Sequence, residues 1–199
     1  MQLYYSPGAI SVASAVALYE AGVEFEPIRV DFAAQAQQSD AYLALNPKGR
    51  VPTLITPHGP LTETIAILEY ACPGLIPADP WDQARMREVN TYLASTMHVA
   101  HAHRFRGARW ADDPAAWEAM TAKVPETMTD SAAYMEAKIE GPFILGPTLT
   151  LSDPYFYAIA RWLAWDGVDM AKFPKITAFL EMMEARPSVI RAHAEGLIQ

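Results

Sequence analysis

The chain has 199 residues, enough for one large domain or two small ones with a well-buried core. Its 51% hydrophobic and 19% charged content describe an ordinary folded protein and exclude a disordered one. A formal charge of −8 argues against nucleic acid as a partner, because phosphate binding needs concentrated cationic surface.

Residues 2–5 read as a strand, stopped by Ser6-Pro7-Gly8. From Ser11, Val12, Ala15, Val16 and Tyr19 recur at helical spacing, and Gly22 closes the helix. Residues 25–30 suit a strand at a sheet edge, since Pro27 cannot donate to a ladder. A short helical turn follows. Residues 52–56 and 60–62 then read as two strands around Pro57-His58-Gly59, and a helix runs from Glu63 to Cys72. The order is βαβ, a helical turn, then ββα.

Cys72-Pro73-Gly74 ends that helix, and the prolines through Pro80 mark a linker. Beyond it the grammar is helical. Met86, Val89, Leu93, Met97 and Ala100 predict a helix over 81–108, and another starts near 115 that Pro125 must kink or restart. Further helices are expected over 151–165, 174–186 and 187–195. Alternating βα followed by a run of helices predicts two domains, one α/β over 1–75 and one all-α over 81–199, joined by 76–80. No stretch of 18 apolar residues is present for a membrane span, residues 1–20 lack signal-peptide character, and Cys72 is the single cysteine. A cytoplasmic setting is the simplest expectation.

Three motifs carry specific chemistry. The first is Leu3-Tyr4-Tyr5-Ser6-Pro7-Gly8-Ala9-Ile10-Ser11, a strand, a loop and a helix start. The second is Asn46-Pro47-Lys48-Gly49-Arg50-Val51-Pro52-Thr53-Leu54, followed by Leu61-Thr62-Glu63-Thr64. The third, Thr150-x-x-Asp153, fits a helix capping box, with Pro154 placed where it would remove a backbone hydrogen bond. Together, in order and spacing, they resemble the cytosolic glutathione transferases, most like those of the bacterial beta class.

The resemblance implies a thioredoxin-like N-terminal domain that binds glutathione, followed by a helical bundle carrying the electrophile pocket. It implies a cis bond at Val51-Pro52, which would turn the backbone of Val51 outward to pair with an extended tripeptide by strand addition. A carboxylate at Glu63 can take the γ-glutamyl ammonium, and the Thr64 hydroxyl with the adjacent helix N–H groups can take the γ-glutamyl carboxylate. As ordinary structure, the same residues read as a plain strand start and a helix capped by Thr62. Ser6 and Arg50 complete the expected glutathione contacts.

Conjugation needs a thiolate. Bringing a thiol from about 8.5 to about 6.5 requires roughly 2.7 kcal/mol. A hydrogen bond to a charged acceptor contributes about 1.5–3 kcal/mol, and a helix N-terminus about 0.3–1 kcal/mol. One hydroxyl at a helix start therefore suffices. Ser11 is the leading donor candidate, Tyr5 the next and Ser6 the third; a bare helix cap is the plain structural alternative for Ser11. The beta class carries a cysteine at the position of Ile10, and isoleucine cannot form a mixed disulfide with glutathione.

In the helical half the resemblance aligns His98 with a histidine that reaches the glutathione sulfur, although the lysine that usually follows is Val99 here. Ile10, Arg104, Arg106 and Trp162 are the expected electrophile lining. His98 and His101 share a helix face, but no local third ligand supports a metal site. The expected activity is conjugation of glutathione, as co-substrate, to small hydrophobic electrophiles by a homodimer, with no membrane or nucleic-acid partner. The alternatives are a glutathione-binding ligandin or stress protein with little turnover, and a glutathione-dependent isomerase or dehalogenase.

Overall fold

The computed structural model describes residues 1–198. They form two compact units: Met1–Ala78 together with the described residues from Glu184 onward, and Asp79–Met183. The chain therefore changes unit twice, once in the expected linker and again near Glu184.

The first unit is built on a mixed four-stranded sheet with the order β2-β1-β3-β4. Its strands are β1 (Gln2–Tyr5), β2 (Glu26–Arg29), β3 (Thr53–Thr56) and β4 (Gly59–Thr62). β2 runs parallel to β1 and occupies an edge, where Pro27 removes no needed donor. β1 and β3 are antiparallel, and β3 and β4 form a hairpin across Pro57-His58-Gly59. Strand alternation sorts the side chains of β1 onto two faces. Leu3 is buried with Leu54, and α1 (Ser11–Glu20) and α3 (Thr64–Ala71) pack against each other, burying Leu18, Ile67 and Leu68. Tyr4 joins a second, smaller cluster with Val30, Val51 and Tyr42, the last from α2 (Asp40–Leu45).

The C-terminal helix α9 (Pro187–Ala194) packs on α1, and ionic contacts fix it there. Arg186 Nε and Nη2 donate to the two oxygens of Glu20 at 2.6 and 2.7 Å, and the Ser188 hydroxyl donates to the same carboxylate. Burial alone would push the Glu20 carboxyl up. The Arg186 and Ser188 hydrogen bonds and the Arg186 charge outweigh it and hold that carboxyl below its ordinary value. Cys72, at the end of α3, is fully buried, and desolvation pushes its thiol up to about 12.

The second unit is helical. The helix expected over 81–108 is shorter: α4 (Pro80–Tyr92) passes through a π-helical turn at Leu93–Met97 into α5 (His98–Ala102) and stops there. The chain turns back because Gly107 lies against Trp117, where a Cβ would meet the indole at 2.8 Å. The Thr121 hydroxyl meanwhile donates to the carbonyl of Arg104 at 3.1 Å. α6 (Pro114–Lys138) runs continuously through Pro125 instead of restarting. α7 (Ser152–Ala160) and α8 (Pro174–Glu184) complete the unit around Met86, Leu93, Met128 and Phe156.

The Thr150-Asp153 pair forms half of the expected capping box. The buried Asp153 carboxylate takes the Thr150 N–H at 2.6 Å, the Thr150 hydroxyl at 3.0 Å and the Ile144 N–H at 2.8 Å. The Thr150 hydroxyl thus donates to the carboxylate, whereas a complete box would have it accept from the helix. Because α7 begins at Ser152, Pro154 falls in its first turn, where an N–H would have no intrahelical partner. That removes the apparent cost of the proline.

Candidate functional site

The loop between β1 and α1 is braced by Ser11, the first residue of α1. Its hydroxyl accepts the Ser6 N–H and donates to the Ser6 carbonyl, both at 3.2 Å. The formal cap position is Ile10, which has no side-chain bond to the helix, so Ser11 is not a simple cap. The Ser6 carbonyl also accepts the Ala9 N–H at 3.1 Å, so it keeps a partner if Ser11 turns its hydrogen elsewhere. Ser11 is only 1% exposed, and Tyr5, Ser6 and Ile10 are buried beside it in sequence. Gly8, at φ +70°, makes the turn that an L side chain would resist.

The Val51-Pro52 bond is cis, as the resemblance implied. No hydrogen bond joins the N–H or C=O of Val51 to another described residue. The sheet begins only at Thr53, so this backbone faces no strand of its own. Peptide groups in such a position remain open to an extended ligand.

Glu63 lies between β4 and α3 with φ +72° and ψ 123°, outside the regions an L residue prefers. Holding a non-glycine residue there costs on the order of 1–3 kcal/mol, and such strain concentrates at functional positions. Its carboxylate bonds the Lys48 ammonium at 2.5 Å, and Lys48 also reaches the Thr62 hydroxyl at 2.6 Å. Both partners are well exposed, so the pair is worth about 0–1 kcal/mol and an incoming ammonium can displace it. Among the described residues no side chain caps α3, Thr62 included, so its first N–H groups are left open beside the buried Thr64. Arg50 contributes its carbonyl to a buried network and leaves its side chain exposed.

In the helical unit, His101 Nδ1 lies 2.7 Å from Oδ2 of the fully buried Asp166. Asp166 Oδ1 makes no hydrogen bond to a described residue, and Arg104 Nη1 stands 3.6 Å from it, within ion-pair range. The His101 ring stacks on Trp162 with centroids 4.0 Å apart, and His98 lies 5.5 Å from the same indole. Arg104 spreads over Phe105 and Trp165 at 5.4 and 5.1 Å. The structure thus gathers His98, Arg104 and Trp162, while Arg106 stands exposed at the following turn.

Two features escaped the sequence. Asp166 is one acid among 23 Asp and Glu, and its pairing with His101 spans 65 residues. Tyr42 sits on a short helix that periodicity resolves only as a turn and Asn46 directly follows its end, yet both are buried against the 50–53 segment.

Comparison with known proteins adds relatives. Residues 1–72 match the family model of the glutathione S-transferase N-terminal domain, and residues 102–193 that of the C-terminal domain. The chain is 32% identical to the glutathione S-transferase GstA of Escherichia coli O157:H7, over 99% of this chain and 100% of that one. A glutathione transferase homologue from Sulfitobacter, solved with bound glutathione, is 49% identical, covers 98% of each chain and superposes with a TM-score of 0.96. The beta-class enzyme of Sphingomonas chungbukensis is 29% identical, over 99% of this chain and 100% of its own, with a TM-score of 0.84.

Proposed function

Because this chain belongs to the glutathione S-transferase family, we propose that it binds glutathione along Val51 and conjugates its thiolate to small electrophiles. The observation that carries the reading is the unpaired main chain of Val51, followed across the β3-β4 hairpin by the strained Glu63 and the uncapped start of α3. An extended tripeptide bonds the Val51 N–H and C=O as an added strand would. Its γ-glutamyl ammonium replaces Lys48 at Glu63, and the neighbouring carboxylate meets Thr64 and the first N–H groups of α3.

The thiolate takes its hydrogen bond from Ser11. Turning the Ser11 O–H from the Ser6 carbonyl to sulfur sacrifices one long bond and leaves that carbonyl paired with Ala9. Tyr5 is the second donor and Ser6 the third. Ile10 replaces the class cysteine, so no mixed disulfide forms at that position. His98 as a sulfur contact, and Ile10, Arg104, Arg106 and Trp162 as electrophile lining, belong to the same proposal, as does a homodimer. A solution mass equal to one chain would contradict the dimer.

Calorimetric titration with glutathione, followed by a conjugation assay with a chloronitroarene, tests the function. Micromolar to millimolar binding with turnover supports it; absence of glutathione affinity contradicts it. Binding without turnover would favour a ligandin.

A further inference from the structure

Given glutathione binding along Val51 as proposed above, we infer that Tyr42, Asn46 and Thr53 form a buried clamp that positions the Val51 main chain for the tripeptide. The segment around Val51-Pro52 is gripped on both sides by the same two side chains. On the side preceding Val51, the Arg50 carbonyl accepts the Tyr42 hydroxyl at 2.6 Å and Asn46 Nδ2 at 2.7 Å. Beyond Pro52, the Thr53 hydroxyl lies 3.0 Å from both the Tyr42 oxygen and Asn46 Nδ2.

The protons of this network have one consistent assignment. A carbonyl cannot donate, so the Tyr42 hydrogen goes to Arg50. Asn46 Nδ2 gives one hydrogen to Arg50 and the other to Thr53. The Thr53 hydrogen then goes back to the Tyr42 oxygen. Asn46 Oδ1 accepts the Lys48 N–H at 3.2 Å, and the Asn46 carbonyl accepts the Gly49 N–H at 2.9 Å. Tyr42, Asn46 and Thr53 are all buried, and the two bonds at the Thr53 hydroxyl sit out of water, where a missing partner is most costly. The Tyr42 ring is itself wedged edge-on against Tyr4 with centroids 5.7 Å apart.

The geometry of the network fixes the peptide planes on either side of the unpaired Val51 main chain. Fixing those planes before the ligand arrives lowers the ordering cost of binding. Glutathione is the single substrate that touches this backbone, so the clamp should act on its affinity and leave the electrophile and the chemical step alone. All three are positioning residues: they act through Arg50, Val51 and Pro52.

The test uses Tyr42→Phe, Asn46→Ala, Thr53→Val and Thr53→Ser in the full chain. Each is measured for glutathione affinity by calorimetry, for KM of both substrates and for kcat, with urea unfolding alongside. Ser188→Ala, in the same unit, serves as a destabilised control outside the clamp. The expected result is about tenfold weaker glutathione binding in Tyr42→Phe, Asn46→Ala and Thr53→Val. The electrophile KM and the kcat at saturating glutathione stay within twofold. Thr53→Ser recovers most of the affinity, and Ser188→Ala binds as wild type does. Clamp variants with wild-type glutathione affinity would overturn the clamp while leaving the glutathione site standing. Loss of affinity in Ser188→Ala equal to that in Tyr42→Phe would overturn it as well, by reducing it to general stability. Wild-type protein without glutathione affinity would instead remove the proposed function itself.

Discussion

Ser11 meets Ser6 twice, accepting its N–H and donating to its carbonyl, both at 3.2 Å within a buried loop. One hydroxyl therefore shapes the loop and holds a hydrogen that can be redirected. Ser11→Ala removes both. Loss of a hydrogen bond to a charged acceptor corresponds to roughly 1.5–3 kcal/mol, or about tenfold to a hundredfold in rate. The chloronitroarene assay should show that fall in kcat, while Tyr5→Phe changes the rate less than fivefold. Equal losses in the two variants would move the donor role to Tyr5.

The strain at Glu63 makes opposite predictions for fold and function. Glu63→Gly removes the backbone penalty at φ +72° but loosens the unfolded chain, for a net stabilisation of about 1 kcal/mol in urea unfolding. The same change deletes the carboxylate proposed to hold the γ-glutamyl ammonium. Glutathione affinity should drop about tenfold or more, and Glu63→Gln should lose affinity without gaining stability. A Glu63→Gly protein that is both more stable and equally tight would separate Glu63 from the site.

Acid should loosen the tie between α1 and α9. The folded Glu20 carboxyl is held below its unfolded value near 4.5, so the unfolded chain binds more protons across that interval. The stabilisation is complete above the unfolded value and is lost as pH falls through the folded one. Glu20→Gln should cost about 1–3 kcal/mol at pH 7, because Arg186 loses its paired carboxylate. The gap between wild type and variant should narrow between pH 5 and pH 3, measured by urea unfolding at each pH. A constant gap would place the stabilisation elsewhere.

Burial and the high thiol value of Cys72 leave almost no thiolate at neutral pH. Native protein at pH 8 should resist alkylation for hours and react fully once unfolded in urea. Rapid labelling of the native chain would show that the end of α3 opens readily.

Most of the fold was legible because its signals are local. Gly22, the Pro57-His58-Gly59 turn and the Cys72-Pro73-Gly74 stop set element ends within two residues of where the structure has them. Pro27 marked β2 as an edge strand for the same reason. The overlong helix through 108 failed where tertiary contact decides: the Gly107–Trp117 packing and the Thr121 bond to Arg104 are invisible to periodicity. In the candidate site, the main-chain features at Val51 and the start of α3 followed from motif and resemblance. The partners that orient them did not, because Tyr42, Asn46 and Asp166 are ordinary polar residues until folding buries them beside a carbonyl or an imidazole.

The thiol itself provides the most direct test. Glutathione bound to wild type and to Ser11→Ala would be titrated by thiolate absorbance across pH. The account predicts that the wild-type complex ionises well below free glutathione, and that Ser11→Ala moves ionisation back up by about one to two pH units. Identical titration curves for the two complexes would contradict activation by Ser11.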